Sequence, residues 1–136
     1  MAAYIEPYLL TIYCLVWMAG LLIVQLVVAD VVGLRKGHMP GTAVTTSHSD
    51  FHFRAVRAHA NTNESLCAFI ILAACAVALQ ADPNWTNLSA ALYAGSRTLH
   101  TLVYWAGLAK IRSVAFGLGL VGLLGLLIAI TLIGPR

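Results

Sequence analysis

The sequence has little charge. Asp, Glu, Lys and Arg make up 10% of its 136 residues, against about 25% in an average soluble domain. Hydrophobic residues make up 60% of the chain, and its mean hydropathy is +0.86. A soluble domain of this length has too small an interior to bury so much apolar surface. The composition therefore excludes an ordinary soluble domain and a disordered chain, and it predicts a membrane protein.

Paired cysteines, metal-binding motifs and basic runs are also missing. The three cysteines, Cys14, Cys67 and Cys75, lie in apolar stretches without CxxC spacing, so we expect small buried side chains and no disulfide or redox role. The histidines form no HExxH motif and have no cysteine companion, so no metal site is predicted. No run of basic residues indicates a nucleic acid partner.

The apolar residues fall into four stretches, each long enough for the roughly 20 residues that cross the hydrocarbon as a helix. We predict an all-α integral membrane protein: a four-transmembrane-helix bundle forming one domain, residues 1–136, with helices at about 8–32, 52–80, 85–109 and 112–133. No small-residue cleavage pattern marks the first stretch as a removable signal peptide. The link Lys110-Ile111 is so short that helices three and four must form an antiparallel hairpin.

Basic residues predict the orientation of this bundle. They cluster at the first and third connections, at Arg35, Lys36, Arg54, Arg57, Lys110 and Arg112. The second connection carries only Asp82. By the positive-inside rule, the first and third connections face the cytoplasm and both chain ends, including Arg136, lie on the other side. We expect an integral multi-pass protein of a bacterial inner membrane, surrounded by membrane lipids.

Polar residues recur at helical spacing near the predicted cytoplasmic boundary. Helix two carries a stripe within an arc of roughly 80°, at Arg54, Arg57, Asn61 and Glu64. Helix three carries Arg97, His100 and Tyr104, and helix four begins with Arg112 and Ser113. Charged side chains are costly against lipid, so these stripes should face the bundle interior, a cavity or a subunit interface. His59 and Asn63 point away from the stripe, and we expect them to bond between helices.

The charge balance of these stripes indicates an anionic ligand. Four arginines stand against the single carboxylate of Glu64. Arginine binds carboxylates through its bidentate fork, and Glu64 is suited to an ammonium group. Two alternatives stay open. Arg57 and Glu64 could pair with each other, and the small-residue stripe of helix four could serve packing within the chain, an oligomer seam, or both.

Three segments resemble one known family. The run FRAVRAHANTNE over Phe53–Glu64 resembles the helix-two signature of the MAPEG family, the membrane-associated proteins in eicosanoid and glutathione metabolism. RTLHTLVY over Arg97–Tyr104 and IRSVAF over Ile111–Phe116 resemble its third and fourth helices. The resemblance covers about residues 50–120 in the right order. The short link and Phe116 resemble the bacterial branch, and the whole resembles a microsomal glutathione transferase.

The resemblance implies a homotrimer that binds glutathione between adjacent subunits near the cytoplasmic face. By resemblance, the tripeptide contacts Arg57, Asn61, Glu64, Tyr104 and Arg112, with Arg97 and His100 nearby. Arg112 would lie beside the thiol and favour its thiolate, the nucleophilic form. Ser113 would donate a hydrogen bond to the sulfur or to the second substrate. The implied activity is transfer of glutathione to a lipophilic electrophile, or reduction of a lipid hydroperoxide.

The sequence also departs from the family pattern. Ala60 stands where some members carry a further Arg, Phe116 replaces a Tyr of the prostaglandin-forming branch, and helix one lacks an embedded Arg. These departures favour a general transferase or peroxidase over an eicosanoid-specific isomerase. One alternative is a non-catalytic family member that binds lipid or a partner protein. Another is a small four-helix transporter, for which Glu64 would have to be the membrane carboxylate.

Overall fold

Four long helices make up most of the protein. The structure, a computed structural model, describes residues 2–133. The long helices are α1 (Leu9–Arg35), α2 (Phe51–Ala78), α3 (Pro83–Trp105) and α4 (Ala109–Ile128). A short helix (Ala2–Ile5) and a 3-10 turn (Glu6–Tyr8) precede α1, and a π-helical turn (Ala129–Ile133) continues α4. The described residues form no strand, which confirms the all-α prediction. The predicted domain ends, residues 1 and 136, lie outside them.

Three of the four helices, α1, α2 and α4, are long and apolar enough to cross a membrane. The sequence predicted four such spans, and α3 differs because it carries most of the polar side chains of the bundle interior. Arg97, His100 and Thr101 of α3 are all buried. Since these groups face protein and not lipid, α3 still runs along the bundle. Near its start Asn87 donates to the carbonyl of Pro7 over 2.8 Å, and at its end the carbonyl of Trp105 accepts from Arg54 over 3.1 Å.

Two glycines set helix ends that the hydrophobic pattern does not mark. Gly37 (φ +67°) and Gly107 (φ +77°) follow the C-caps of α1 and α3 in the left-handed conformation that glycine adopts without strain. As a result α1 continues to Arg35. The link between α3 and α4 is residues 106–108, and Lys110 lies in the first turn of α4. The sequence placed both boundaries a few residues away, because periodicity does not show where a backbone reverses.

Glycines of α4 allow its backbone to approach α3 closely. A Cβ atom on Gly122 would lie 2.8 Å from the backbone nitrogen of Tyr93 and 2.9 Å from the backbone oxygen of Ser89. One on Gly119 would lie 2.9 Å from the hydroxyl of Ser96. These two glycines therefore serve packing within the chain, the first of the two roles left open for the small-residue stripe. Gly117 has no atom within 4 Å of such a Cβ among the described residues.

The bundle core combines apolar packing with a buried polar layer. The rings of Phe69 and Tyr93 stack with centroids 4.3 Å apart. Gln25 of α1 is fully buried and donates to the hydroxyls of Thr62 over 3.0 Å and Thr101 over 2.5 Å. These two bonds join α1, α2 and α3 at one depth. Each hydroxyl also donates to a carbonyl of its own helix, that of Ala58 over 3.1 Å and that of Arg97 over 2.8 Å, so each accepts from the amide and donates to the backbone.

The cysteines depart from the expectation of three buried side chains. Cys14 is buried in the core, but Cys67 and Cys75 are exposed on the outer surface of α2. In a membrane bundle the outer surface is apolar as well, so an apolar sequence environment does not distinguish the two locations. The expectation therefore held for Cys14 alone.

The two basic connections lie at the same end of the bundle, as the contact between Arg54 and Trp105 requires. At the base of the first connection, Lys36 pairs with Asp50 at 2.5 Å. Asp50 also caps α2 by accepting a hydrogen bond from the backbone N–H of His52 over 2.7 Å. The hydrogen bond from Lys36 and that backbone N–H hold the pKa of the Asp50 carboxyl below its usual range. The side of the membrane on which this end lies stays a prediction.

Candidate functional site

A cleft of about 250 Å³ opens at the end of the bundle that carries the basic connections. It is lined by Asn61 of α2, His100 and Tyr104 of α3, and Arg112, Ser113 and Phe116 of α4. Five of these six residues were predicted site residues, and the structure brings them together from three helices.

Helix geometry explains why these side chains meet. His100 and Tyr104 are four residues apart, as are Arg112 and Phe116, so each pair projects from one face of its helix. The short link makes α3 and α4 antiparallel, which sets the end of one beside the start of the other. The first turn of α4 also presents backbone N–H groups that have no partner within the helix, which makes this end favourable for an anion.

Arg112 lines the cleft and contacts two rings. Its guanidinium carbon is 4.5 Å from the ring centroid of Tyr104, a cation–π contact. Its Nη1 is 3.4 Å from Nδ1 of His48, which comes from the loop between α1 and α2. The neighbouring Ser113 is exposed, and its hydroxyl donates to the carbonyl of Ala109 over 3.4 Å.

Arg97 lies beneath the cleft, where the sequence anticipated a residue near the ligand. Its side chain is fully buried, and its Nη1 donates to the amide oxygen of Asn61 over 2.9 Å. The guanidinium carbon lies 5.4 Å from the ring centroid of Tyr93 and 5.1 Å from that of Phe116. Within residues 2–133, Nε and Nη2 of Arg97 have no hydrogen-bond partner. Arg97 thus reaches the cleft through Asn61.

Asn61 connects the buried arginine to a carboxylate. While its amide oxygen accepts from Arg97, its amide nitrogen lies 3.5 Å from Oε2 of Glu64. Because the oxygen is engaged by a guanidinium, the NH₂ group must face the other way. Asn61 therefore turns its hydrogen-bond donors towards Glu64.

Two predicted site residues, Arg57 and Glu64, are exposed and are not among the residues lining the cleft of this single chain. The stripe predicted on α2 thus divides into Asn61, which faces the cleft, and these two charges on the outer surface of the helix. The alternative that Arg57 and Glu64 pair with each other is not seen among the ion pairs of the described residues.

His100 is almost completely buried, with 2% of its surface exposed. Its ring centroid lies 5.4 Å from that of Tyr104 and 6.3 Å from that of Phe116, both in the cleft wall. Its Nδ1 has no hydrogen-bond partner within the described part of the chain. A buried ring nitrogen without a partner is a place where a ligand or a water can bond.

The remaining polar residues of the predicted stripes take structural positions. Arg54 donates through Nη1 to the carbonyls of His48 and Ser49, over 2.7 and 3.0 Å, which fixes the end of the loop. His59 and Asn63 contact each other at 3.2 Å along α2, where the sequence predicted bonds between helices.

Sequence reasoning missed His48 and Gln25. His48 lies in a loop, where no periodicity relates it to Arg112, which is 64 residues away. Gln25 interrupts the apolar run from Leu21 to Ala29 of α1, and this interruption was the one signal in the sequence. Among residues 2–133, no three His, Cys, Asp or Glu side chains lie close enough to hold a metal ion.

Comparison with known proteins supports one family. The profile of the MAPEG family matches residues 10–132, which is most of the chain and includes every residue of the cleft. Comparisons with curated proteins and with solved structures find no match.

Proposed function

The chain belongs to the MAPEG family, and from that premise we propose that it is a membrane-bound glutathione transferase and peroxidase. The observation that carries this proposal is the position of Arg112. Arg112 lies in the first turn of α4 and lines the cleft, and its guanidinium contacts the rings of Tyr104 and His48. A cation at a helix N-terminus favours a bound anion, and a thiolate is the anion that this reaction needs.

The donor set of the cleft suits glutathione as the thiol co-substrate. The tripeptide has two carboxylates, an ammonium group and a thiol. Arg112 offers donors to its anionic groups, the amide of Asn61 lines the same cleft, and the unpartnered Nδ1 of His100 offers one further bond. Of the predicted ligand contacts, Asn61 and Arg112 therefore receive direct roles here, while Tyr104 supports Arg112 through its ring and Arg97 holds Asn61 in place.

The proposed chemistry has two steps: the thiol is activated as a thiolate, and the thiolate then attacks the second substrate. Arg112 lowers the free energy of the thiolate relative to the thiol. The exposed hydroxyl of Ser113 leaves its long, 3.4 Å bond to the carbonyl of Ala109 and donates to the sulfur or to the second substrate instead. In transfer, the sulfur forms a bond to an electrophilic carbon and the leaving group departs. In peroxide reduction, the thiolate attacks the O–O bond and releases an alcohol. A second glutathione then reduces the resulting sulfenic acid, forming glutathione disulfide and water.

We propose that further copies of the chain complete the site in a homotrimer. The cleft, at about 250 Å³, lies below the roughly 300–1,000 Å³ of typical small-molecule pockets. Arg57 and Glu64 are exposed on the membrane-crossing helix α2, where contact with lipid would be costly. A neighbouring subunit over this face would enclose both charges and add the missing wall.

The lipophilic substrate would reach the site from the bilayer. Phe116 lines the cleft and is 36% exposed, so it joins the polar site to the outer, apolar surface of the bundle. In this proposal the end with the basic connections faces the cytoplasm across a bacterial inner membrane, as the positive-inside rule predicts, and glutathione would enter from that side.

Titration with glutathione tests the proposal. Glutathione is added to the detergent-purified protein while thiolate absorbance is followed, for the wild type and for Arg112→Leu. We expect a saturable signal that drops about tenfold or more in Arg112→Leu, because the guanidinium favours the charged sulfur. Arg35→Leu is the matched control, since Arg35 is an exposed arginine outside the cleft.

Two results would contradict the proposal. Absence of any signal at millimolar glutathione would favour the non-catalytic, lipid- or partner-binding alternative. An equal loss of thiolate signal and of tripeptide binding in Arg112→Leu would mean that Arg112 only anchors a carboxylate.

A further inference from the structure

One residue of the first connection, His48, reaches the proposed catalytic arginine. Its Nδ1 lies 3.4 Å from Nη1 of Arg112, and its ring centroid is 5.8 Å from that of Tyr104. The edge-on ring of Phe53, at 5.0 Å, supports it from α2. Together His48, Tyr104 and Arg112 line a second, smaller cavity of about 150 Å³ next to the cleft. His48 is thus the residue through which the loop contacts the guanidinium of Arg112.

A hydrogen bond between these two groups requires one ring nitrogen to be an acceptor. Arginine has only donors, so Nδ1 of His48 must be the acceptor and carry a lone pair. A neutral ring with its proton on Nε2 meets this condition. A protonated ring does not, because it would turn an N–H and a positive charge towards the guanidinium of Arg112.

The end of the loop is anchored, so the position of His48 is well defined. Arg54 donates to the carbonyl of His48 over 2.7 Å and to that of Ser49 over 3.0 Å. The ion pair of Lys36 and Asp50, at 2.5 Å, closes the base of the loop. These contacts hold the backbone of His48 independently of Arg112.

We propose that His48 is a positioning residue for Arg112, an inference that rests on the proposed function. As an acceptor, His48 holds the guanidinium over the Tyr104 ring and aims it at the bound sulfur. The charged and titratable groups around His48 are Arg112 of α4, Arg54 of α2 and Tyr104 of α3. The nearby carboxylate of Asp50 is already paired with Lys36. His48 is therefore the acceptor that the loop supplies to Arg112.

Two substitutions separate this role from simple loop structure. His48→Asn keeps an acceptor oxygen near the place of Nδ1, whereas His48→Ala removes the acceptor. We expect the thiolate signal at pH 8 to be near wild type in His48→Asn and about three- to tenfold lower in His48→Ala, as for loss of one hydrogen bond. Rescue of the signal by Asn, but not by Ala, would show that the acceptor atom and not the bulk of the ring positions Arg112.

His38→Asn is the matched control. His38 belongs to the same loop, but it contacts Thr42 and the ring of His52 and is not among the residues lining the cleft. It should give the wild-type thiolate signal. An equal loss of signal in His48→Asn and His48→Ala, or a wild-type signal in His48→Ala, would overturn the proposal.

A second readout does not depend on glutathione. The rate at which an arginine-specific dicarbonyl modifies Arg112, measured by mass spectrometry, should rise several-fold in His48→Ala and stay near wild type in His48→Asn. If the wild type gives no thiolate signal but this pattern appears, the proposed function fails while the contact stands. If the rates do not differ, the positioning role itself is refuted.

Discussion

The buried guanidinium of Arg97 donates to the amide oxygen of Asn61 over 2.9 Å, and this bond sets which side of the amide faces the cleft. Arg97 is fully buried, and two of its three nitrogens have no partner among residues 2–133. A buried cation with so few bonds contributes little to stability, because its desolvation offsets its attractions. Its value to the protein is therefore expected to lie in orienting Asn61.

Substitution of Arg97 tests that expectation. Arg97→Met removes the buried charge while keeping a long side chain, so we expect the thermal unfolding midpoint in detergent to stay or rise. Glutathione affinity should fall about three- to tenfold, because Asn61 loses the bond that orients it. Calorimetric titration and a thermal scan on the same sample measure both quantities. A large drop in the unfolding midpoint would show that Arg97 serves stability instead.

Substitution of Tyr104 separates its ring from its hydroxyl. Tyr104→Phe keeps the ring on which Arg112 lies, 4.5 Å from the centroid, whereas Tyr104→Leu removes it. Loss of an exposed cation–π contact lowers affinity about two- to fivefold, so we expect that reduction in the thiolate signal for Leu and little change for Phe. If Phe and Leu are equally impaired, the hydroxyl and not the ring is what matters.

Close approach of α3 and α4 makes Gly122 sensitive to any side chain. The Cβ of Gly122→Ala would meet backbone atoms of Tyr93 and Ser89 below 3.0 Å, and backbone cannot rotate away. We expect destabilisation of about 1–3 kcal/mol, as for other overpacked sites. Gly117→Ala is the control, since the added Cβ meets no described atom within 4 Å and alanine favours a helix. Thermal unfolding of both variants in detergent measures the difference, and equal midpoints would contradict the packing described for Gly122.

The loop ion pair predicts a pH dependence at acid pH. The pKa of Asp50 is lowered in the folded state, first by the hydrogen bond from Lys36. A carboxyl with a lowered pKa stabilises the folded state above its unfolded pKa, and this contribution disappears as the pH falls through the folded value. The unfolding midpoint of the wild type should therefore exceed that of Asp50→Asn at pH 7 and approach it towards about pH 3.

Asparagine is the appropriate replacement in that comparison, because it retains the N-cap hydrogen bond to His52 and removes only the charge. Lys36→Met should give the same result from the other side of the pair. A difference between wild type and Asp50→Asn that persists unchanged at low pH would exclude the charge as its cause.

Several features of the site could be read from spacing alone. The intervals between His100 and Tyr104, and the placement of Arg112 at the start of a helix, predicted side chains that share one end of the bundle, and the structure brings them together with Asn61. These predictions succeeded because a helix fixes the direction of each side chain relative to its neighbours in sequence. Arg57 and Glu64 follow the same spacing but lie outside the cleft of one chain. A stripe about 80° wide extends beyond the part of the helix surface that faces the cleft.

By itself the sequence determined that the chain is a helical membrane protein, since hydropathy and helical periodicity are local properties, and three of its segments carried the resemblance to one family. Tertiary structure decided what depends on contacts between distant residues. It placed Arg97 beneath the cleft, brought His48 of a loop to Arg112, and used Gly122 for contact with α3. The physical reason is that the burial and the hydrogen-bond partners of each side chain depend on which helix surfaces are in contact. Those contacts depend on how the whole bundle packs.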